Sequence, residues 1–327
     1  MNLTYLLGFL ISLALSVLFA PLVFAFSKKI HAGQTILHYV KEHASKAGTP
    51  TMGGLIFIVP ATIVPLLFFT SDYLYAIITL VSFFAYALLG FLDDFIKVYY
   101  KQNLGLKPYQ KIIGQLGISF IIAVFVYKTI GSNIYIPFSS NTINFGAFII
   151  PLVMLVYIAT VNSVNLIDGL DGLCSSVSIN YLAFFAFILI ALYSASNGVF
   201  GKEMANLNLC IFSLVGALFG FLIFNSYPAK IFMGDTGSLA IGGFIASISV
   251  LTGQELLIPI LGFAYVITTI SDIIQVLHYK RTKKRIFKMA PLHHHFQMSG
   301  IHENKVVFTY FLVTFILNLI TLAIYIL

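Results

Sequence analysis

Runs of apolar residues, each close to the roughly twenty that a helix needs to cross a bilayer, recur along this whole chain. They fall at about 3–26, 53–70, 74–95, 112–129, 145–161, 174–194, 207–225, 239–252, 256–278 and 306–326. Only 9% of the 327 residues are charged and 59% are hydrophobic, whereas soluble domains carry about 25% charged residues. Continuous runs also differ from the alternating pattern of an outer-membrane barrel. The sequence therefore predicts an all-α, polytopic membrane protein of ten transmembrane helices, a single domain over 1–327. The first run has no basic flank before it and no small-residue cleavage site after it, which predicts a retained span. Cys174 and Cys210 lie near span ends without metal-ligand spacing and read as small apolar residues with no disulfide.

Charge sets the orientation. With the N-terminus outside, connections 27–52, 96–111, 162–173, 226–238 and 279–305 face the cytoplasm. They hold every Lys and Arg except Lys128 and Lys202, and seven of the eight histidines, while His278 ends the run next to them on the same side. The positive-inside rule then predicts both termini outside and an active site on the cytoplasmic face. The formal charge of +7 reflects this bias and attraction to anionic headgroups or substrate, so nucleic acid is not an expected partner. On the outer side 130–146 reads as a small hairpin without chemistry. The oligomeric state stays open, a homodimer included.

The inner connections carry the unusual residues. Residues 162–173 read Asn-Ser-Val-Asn-Leu-Ile-Asp-Gly-Leu-Asp-Gly-Leu. On a helix, Asn162, Asn165, Asp168 and Asp171 would wind around one half of its surface until Gly169 and Gly172 end it. Carboxylates at a helix C-terminus oppose its dipole and call for a cation; a plain Gly-capped loop explains the glycines but not four polar residues in register. Asp93 and Asp94 end the third run with the same problem, open to Lys97, Lys111 or a divalent metal, or else a solvated helix end. Lys46-Ala-Gly-Thr-Pro-Thr-Met-Gly-Gly offers close backbone approach with donors at Lys46, Thr49 and Thr51, although such a turn also commonly precedes a span. Asp235 sits between Gly234 and Gly237, where an ordinary helix cap is the bland alternative. His293, His294 and His295 cannot all point one way, which argues against a three-ligand zinc site and for hydrogen bonds to phosphate.

Five carboxylates gathered with lysines and carboxamides favour Mg²⁺ and phosphoryl transfer, in which the protein positions and neutralises phosphate. One reactant would be a soluble phosphate compound and the other a lipid phosphate. The stretches Lys46–Gly54, Asp93-Asp94 after Gly90, Asn162–Leu173, Phe232–Leu239 and Met289–Phe296 resemble, in order and placement, the five cytoplasmic signatures of the polyprenyl-phosphate N-acetylhexosamine-1-phosphate transferases. Gln297 departs from that pattern, which has Glu after His-His-His-Phe.

This resemblance implies Mg²⁺-dependent transfer of phospho-MurNAc-pentapeptide from UDP-MurNAc-pentapeptide to undecaprenyl phosphate. The products would be lipid I and UMP, in the first membrane step of peptidoglycan synthesis at the bacterial cytoplasmic membrane. It further implies catalytic roles for Asp93, Asp94 and Asp235, with Asp235 ligating the metal and Asp93 and Asp94 facing the lipid phosphate. Lys46, Thr51, Asn165, Asp168, Asp171, Phe232 and Gln275 would line the nucleoside and diphosphate pocket, with uracil stacked on Phe232. His293, His294 and His295 would contact the sugar-diphosphate, and Lys111 a phosphate. Two rivals stand beside it. A sister transferase would use UDP-GlcNAc; an ion-coupled transporter would hold its acids near the midplane rather than at one face.

Overall fold

The computed structural model describes residues 3–30, 48–100, 104–195 and 201–327. Among them, eight helices are long and apolar enough to cross a membrane. They are α1 (Leu3–Lys29), α3 (Leu74–Tyr99), α4 (Pro108–Thr129), α5 (Ile149–Ile167), α6 (Leu173–Ala195), α7 (Gly201–Asn225), α8 (Gly234–Leu251) and α12 (Glu303–Ile326). The remaining helices are α2 (Leu55–Leu66), α9 (Ile258–Leu261), α10 (Phe263–Thr282) and α11 (Leu292–Gln297).

Two of the ten expected runs take a different form. The run at 256–278 breaks at Gly262, where α9 and α10 meet at 82°. A side chain at Gly262 would press on the Ile258 carbonyl and the Tyr265 ring, so the bend needs glycine. The run at 53–70 forms only the twelve residues of α2, which contains Pro60 and Pro65; each proline removes a helical N–H and crowds the preceding turn. The segment after α2 is fixed by side chains of α7. Thr70 N–H donates to Asn206 Oδ1 at 3.2 Å, and Leu74 and Tyr75 N–H donate to Glu203. At the other end, Gly53 and Gly54 N–H donate to the carbonyls of Phe232 and Met233, each at 2.9 Å. Residues 53–74 thus run beside α7 from just past its C-terminus to its first turns.

The expected hairpin forms, with β1 (Asn133–Tyr135) antiparallel to β2 (Thr142–Asn144) and Ile134 opposite Ile143. Both cysteines are buried free thiols, as expected.

Close helix crossings place the polar ends. A Cβ at Gly90 of α3 would collide with the Asp235 carbonyl of α8, and one at Gly243 with the Tyr86 ring. These glycines let α3 and α8 lie backbone to backbone. As a result the C-terminal ends of α3 and α5 and the N-terminal ends of α4 and α8 converge at one face.

Candidate active site

Asp93 and Asp94 were expected to end the third helix, but α3 continues past them to Tyr99, and Asp94 is held by the start of α8. Its carboxylate, 3% exposed, accepts from Asp235 N–H at 3.2 Å, Thr236 N–H at 2.9 Å and Thr236 Oγ at 2.7 Å. An acid in the penultimate turn of α3, which runs on to Tyr99, becomes the N-terminal cap of α8, where partial positive charge and unpaired N–H groups welcome it. Gly234, at φ +74°, leaves room for this, since a Cβ there would meet Asp94 Oδ2 and Thr51 Oγ. Removing the carboxylate in Asp94→Ala is expected to cost about 2 kcal/mol, the upper range for a cap, read as a lower Tm. Thr236→Val should cost less, and the two changes should be non-additive because they break one bond in common.

With Asp94 as the cap, the Asp235 carboxylate is released to the site, and the bland reading of Asp235 as a cap does not hold. Its Oδ2 accepts from Lys97 Nζ at 2.9 Å and Lys111 Nζ at 2.8 Å. Its Oδ1 accepts from Asn165 Nδ2 at 2.7 Å, and that amide also donates to Ser238 Oγ at 2.8 Å. Asp93, also 3% exposed, is paired with Lys97 through Oδ2 and accepts Leu106 N–H at 2.9 Å through Oδ1. Gly105 crosses directly over this carboxylate, where a Cβ would strike it.

Asp93, Asp94 and Asp235 each present a carboxylate oxygen, all within 4.8 Å of one another. This donor set fits a hard divalent cation, because it is purely oxygen. Lys97 Nζ lies within 4.0 Å of all three carboxylates and marks where positive charge is wanted.

Other expected site residues fall in varied places. Lys46 lies outside the described residues. Thr51 is adjacent to Gly234 and Asp94, on the strap that pairs Pro50 O with Phe232 N–H and Gly53 with Phe232 O; Phe232 is thereby held beside Asp235 and is half-buried. The helical register expected for 162–173 ends early, because α5 stops at Ile167 with Asp168 as its cap. Only Asn165 reaches Asp235. Asn162 instead pairs with Gln115, donating at 2.8 Å. Asp171 accepts Ala229 N–H at 2.9 Å, and its own N–H donates to Glu303 Oε1 at 2.7 Å. It therefore ties three segments together.

Asp168 lies in the connection between α5 and α6. Burial, then repulsion from Asp235, Asp94 and Asp171, pushes its carboxyl up to about 8. A folded pKa above the ordinary carboxylate value means that the folded protein holds a proton which the unfolded chain has lost. In metal-free protein, Asp168 should therefore lower stability progressively as pH rises from about 4 towards 8. Asp168→Asn, neutral throughout, should flatten that part of a Tm-against-pH curve; an unchanged slope would show that Asp168 ionises freely.

His293, His294 and His295 occupy α11 and do not all point one way: the His293 and His294 rings lie side by side, their centroids 4.3 Å apart, and His295 diverges. The His293 and His294 rings abut Gly169, whose missing Cβ makes the space. His295 turns away to accept Lys288 N–H through Nδ1 at 3.1 Å. Gln297 Oε1 lies 3.3 Å from His294 Nδ1, so the departure at Gln297 keeps a hydrogen-bonding group. Gln275 accepts Ile286 and Phe287 N–H, each at 3.0 Å, and donates to Phe287 O. It braces the loop before the histidines. Sequence reading named Lys97 only as a counter-cation and Ser238 only as a residue able to cap a helix, and missed Thr236. The three- and four-residue spacing of Lys97 from Asp94 and Asp93 was the available signal for the first; the others become visible only once α8 is packed.

Comparison with known proteins gives this arrangement its place. A profile of the family described as Glycosyl transferase family 4 matches residues 76–253, and the profile of Phospho-N-acetylmuramoyl-pentapeptide-transferase signature 1 matches residues 46–58. The chain is 45% identical over 311 residues to the phospho-N-acetylmuramoyl-pentapeptide-transferase of Thermoanaerobacter sp. (strain X514), covering 95% of each chain. It is 44% identical over 316 residues to the protein of that name from Clostridium botulinum (strain Eklund 17B / Type B), covering 96% of this chain and 93% of the other. For the one from Clostridioides difficile (strain 630) the figures are 43% over 322 residues, 98% and 96%. With its apolar helices, its acid cluster and similarity along nearly its whole length, the chain belongs to the phospho-N-acetylmuramoyl-pentapeptide transferase family, membrane transferases of peptidoglycan synthesis.

Proposed function

We propose that this chain catalyses the Mg²⁺-dependent transfer of phospho-MurNAc-pentapeptide from UDP-MurNAc-pentapeptide to undecaprenyl phosphate, giving lipid I and UMP. It would do so as a ten-span protein of the bacterial cytoplasmic membrane, with both termini outside and the acid cluster on the cytoplasmic face. The observation that carries this reading is the meeting of Asp93, Asp94 and Asp235 with Lys97 and Lys111 at one end of the helix bundle. The path of residues 53–74 along α7 supports counting them as a span, and the distribution of Lys and Arg supports the orientation. The names of the relatives favour a MurNAc-pentapeptide donor over UDP-GlcNAc.

A magnesium ion held by oxygens of Asp93, Asp235 and Asp94 would supply charge neutralisation and polarisation of the donor diphosphate. Lys97 and Lys111 bind phosphate oxygens and offset charge that develops on the leaving nucleotide. Asn165 and Ser238 hold Asp235 in place, while the Gly105–Leu106 crossing covers Asp93 and keeps water from its Oδ1. A phosphate monoester has a second pKa near 6, so the lipid phosphate is mostly dianionic at neutral pH. Asp93 then orients it for direct attack on the sugar-linked phosphorus and takes a residual proton at Oδ2.

The test is UMP release from UDP-MurNAc-pentapeptide and undecaprenyl phosphate with and without Mg²⁺. Turnover with UDP-GlcNAc alone would overturn the donor assignment. Trapping a labelled phosphosugar on the protein in the absence of lipid acceptor would overturn direct attack in favour of a covalent intermediate.

A further inference from the structure

Lys111 reaches Asp235 from the first turn of α4, a place that nothing local favours. A cation near a helix N-terminus is repelled by the helix dipole, and α4 itself is attached to the bundle along a narrow seam. Of its 22 residues only Gln115, Ser119, Ile122, Ala123 and Val126 are buried. Apolar contact with neighbouring helices gains little in a bilayer, because lipid tails offer the same contact. The depth at which α4 sits is therefore set by its polar contacts.

One such contact lies a turn away from the acids. Gln115, four residues after Lys111, has no exposed surface, and Asn162 stands three residues before Asn165. Because α4 runs away from the acids and α5 runs towards them, both amides lie one turn, about 5 Å, further from Asp235. They close a reciprocal pair. Asn162 Nδ2 donates to Gln115 Oε1 at 2.8 Å, and Gln115 Nε2 donates to Asn162 Oδ1 at 3.3 Å. A second bond from Asn162 Nδ2, to the Ile158 carbonyl at 2.8 Å, fixes the Asn162 amide on α5. From α3, Tyr86 donates to the Gln115 carbonyl at 3.3 Å while its ring stacks on Tyr157, with centroids 5.8 Å apart. Among the described residues the amide pair is the only side-chain hydrogen bonding that joins α4 to α5.

Asp235 does not need this pair. Its side chain is held by Asn165, which Ser238 anchors in turn, and its backbone by the cap that Asp94 gives to α8. Lys111 Nζ, by contrast, has Asp235 Oδ2 as its one partner among the described residues, so its place follows wherever α4 lies. We infer that Gln115 and Asn162 are positioning residues: their clasp sets the depth of α4 and thereby places the Lys111 ammonium at the phosphate whose charge it offsets. The effect on turnover rests on the transferase reading above; the effect on Lys111 does not.

Gln115→Met keeps an unbranched side chain of similar length and removes the pair. In the full chain it should lower kcat for UMP release at saturating Mg²⁺ by at least about tenfold, towards the roughly 10²-fold loss that a displacement of about 1 Å can cause. KM for either substrate should change little. In a Lys111→Gln background the same substitution should leave kcat unchanged, since the group it positions is gone, while Tm falls equally in both backgrounds. The reversed pair, Gln115→Asn with Asn162→Gln, should recover most of the rate lost in Gln115→Asn alone. Trace acetylation followed by peptide mass spectrometry reads Lys111 without any substrate. Lys111 should be modified several-fold faster in Gln115→Met than in the intact chain, with Lys128 in the last turn of α4 as an unchanged reference.

An undiminished kcat in Gln115→Met, an equal loss of rate with Lys111 already replaced, or a reversed pair no faster than Gln115→Asn would overturn the inference. So would unchanged Lys111 reactivity, which reports on the clasp even if UMP release proves to be the wrong reaction to follow.

Discussion

Asp235→Asn is expected to lower Mg²⁺-dependent UMP release by about 10³-fold, the scale seen when one electrostatic element of a preorganised site is removed. The shape of the side chain is kept. Its Oδ1 can still accept from Asn165, but the charge that holds Lys97 and Lys111 at 2.9 and 2.8 Å is gone. Two cations then face two carboxylates rather than three, and the oxygen set for a divalent ion loses the member that is not already engaged in capping or covered by a loop. The backbone of α8 is held from Asp94, so folding should survive. A cooperative melt with lost activity and weakened Mg²⁺ dependence is the expected pair of results. Near-normal turnover would reduce Asp235 to a structural counter-ion for the lysines.

Asp93→Asn should also be severe, about 10²- to 10⁴-fold at neutral pH, as expected for loss of a positioned proton acceptor. It has a different signature from Asp235→Asn. If Asp93 Oδ2 takes a residual proton from the lipid phosphate, its loss matters most where that proton is most often present. With a second phosphate pKa near 6, the defect should shrink between about pH 6 and pH 8.5. A defect constant with pH would move Asp93 from proton acceptor to ligand or binding contact.

Much of the helical plan was legible in the chain, because burial in lipid demands long apolar runs and every such run is written locally. The exceptions have local causes seen only in part beforehand. Pro60 and Pro65 were visible in the second run, yet its path depends on Asn206 and Glu203, more than a hundred residues away. Gly262 was one glycine among 24, and nothing in the hydropathy of 256–278 marks it as the hinge of an 82° bend. The candidate site was legible as a set of polar stretches sharing one face, but the division of labour within it was not. Asp93 and Asp94 are adjacent and chemically identical; one is covered by the Gly105–Leu106 crossing and the other caps α8. Asn162, Asn165, Asp168 and Asp171 share a three-residue spacing, yet they meet Gln115, Asp235, the α5 terminus and Ala229 respectively.

The sequence by itself determined that this protein lives in a membrane as a helical bundle, which connections between its apolar runs hold its acids, cations and histidines, and which family its motifs resemble. The first two follow from composition and spacing along a few dozen residues at most, and the third is a resemblance carried by five short stretches read in order. Only the tertiary structure decided that Asp94 caps α8, that Asp235 is thereby free to face Lys97 and Lys111, and that Asp171 and Gln275 brace loops. The physical reason is that a carboxylate or amide is assigned by the donor it meets. That donor is set by where helices cross, at contacts such as Gly90 against the Asp235 carbonyl, between residues that lie far apart in the chain.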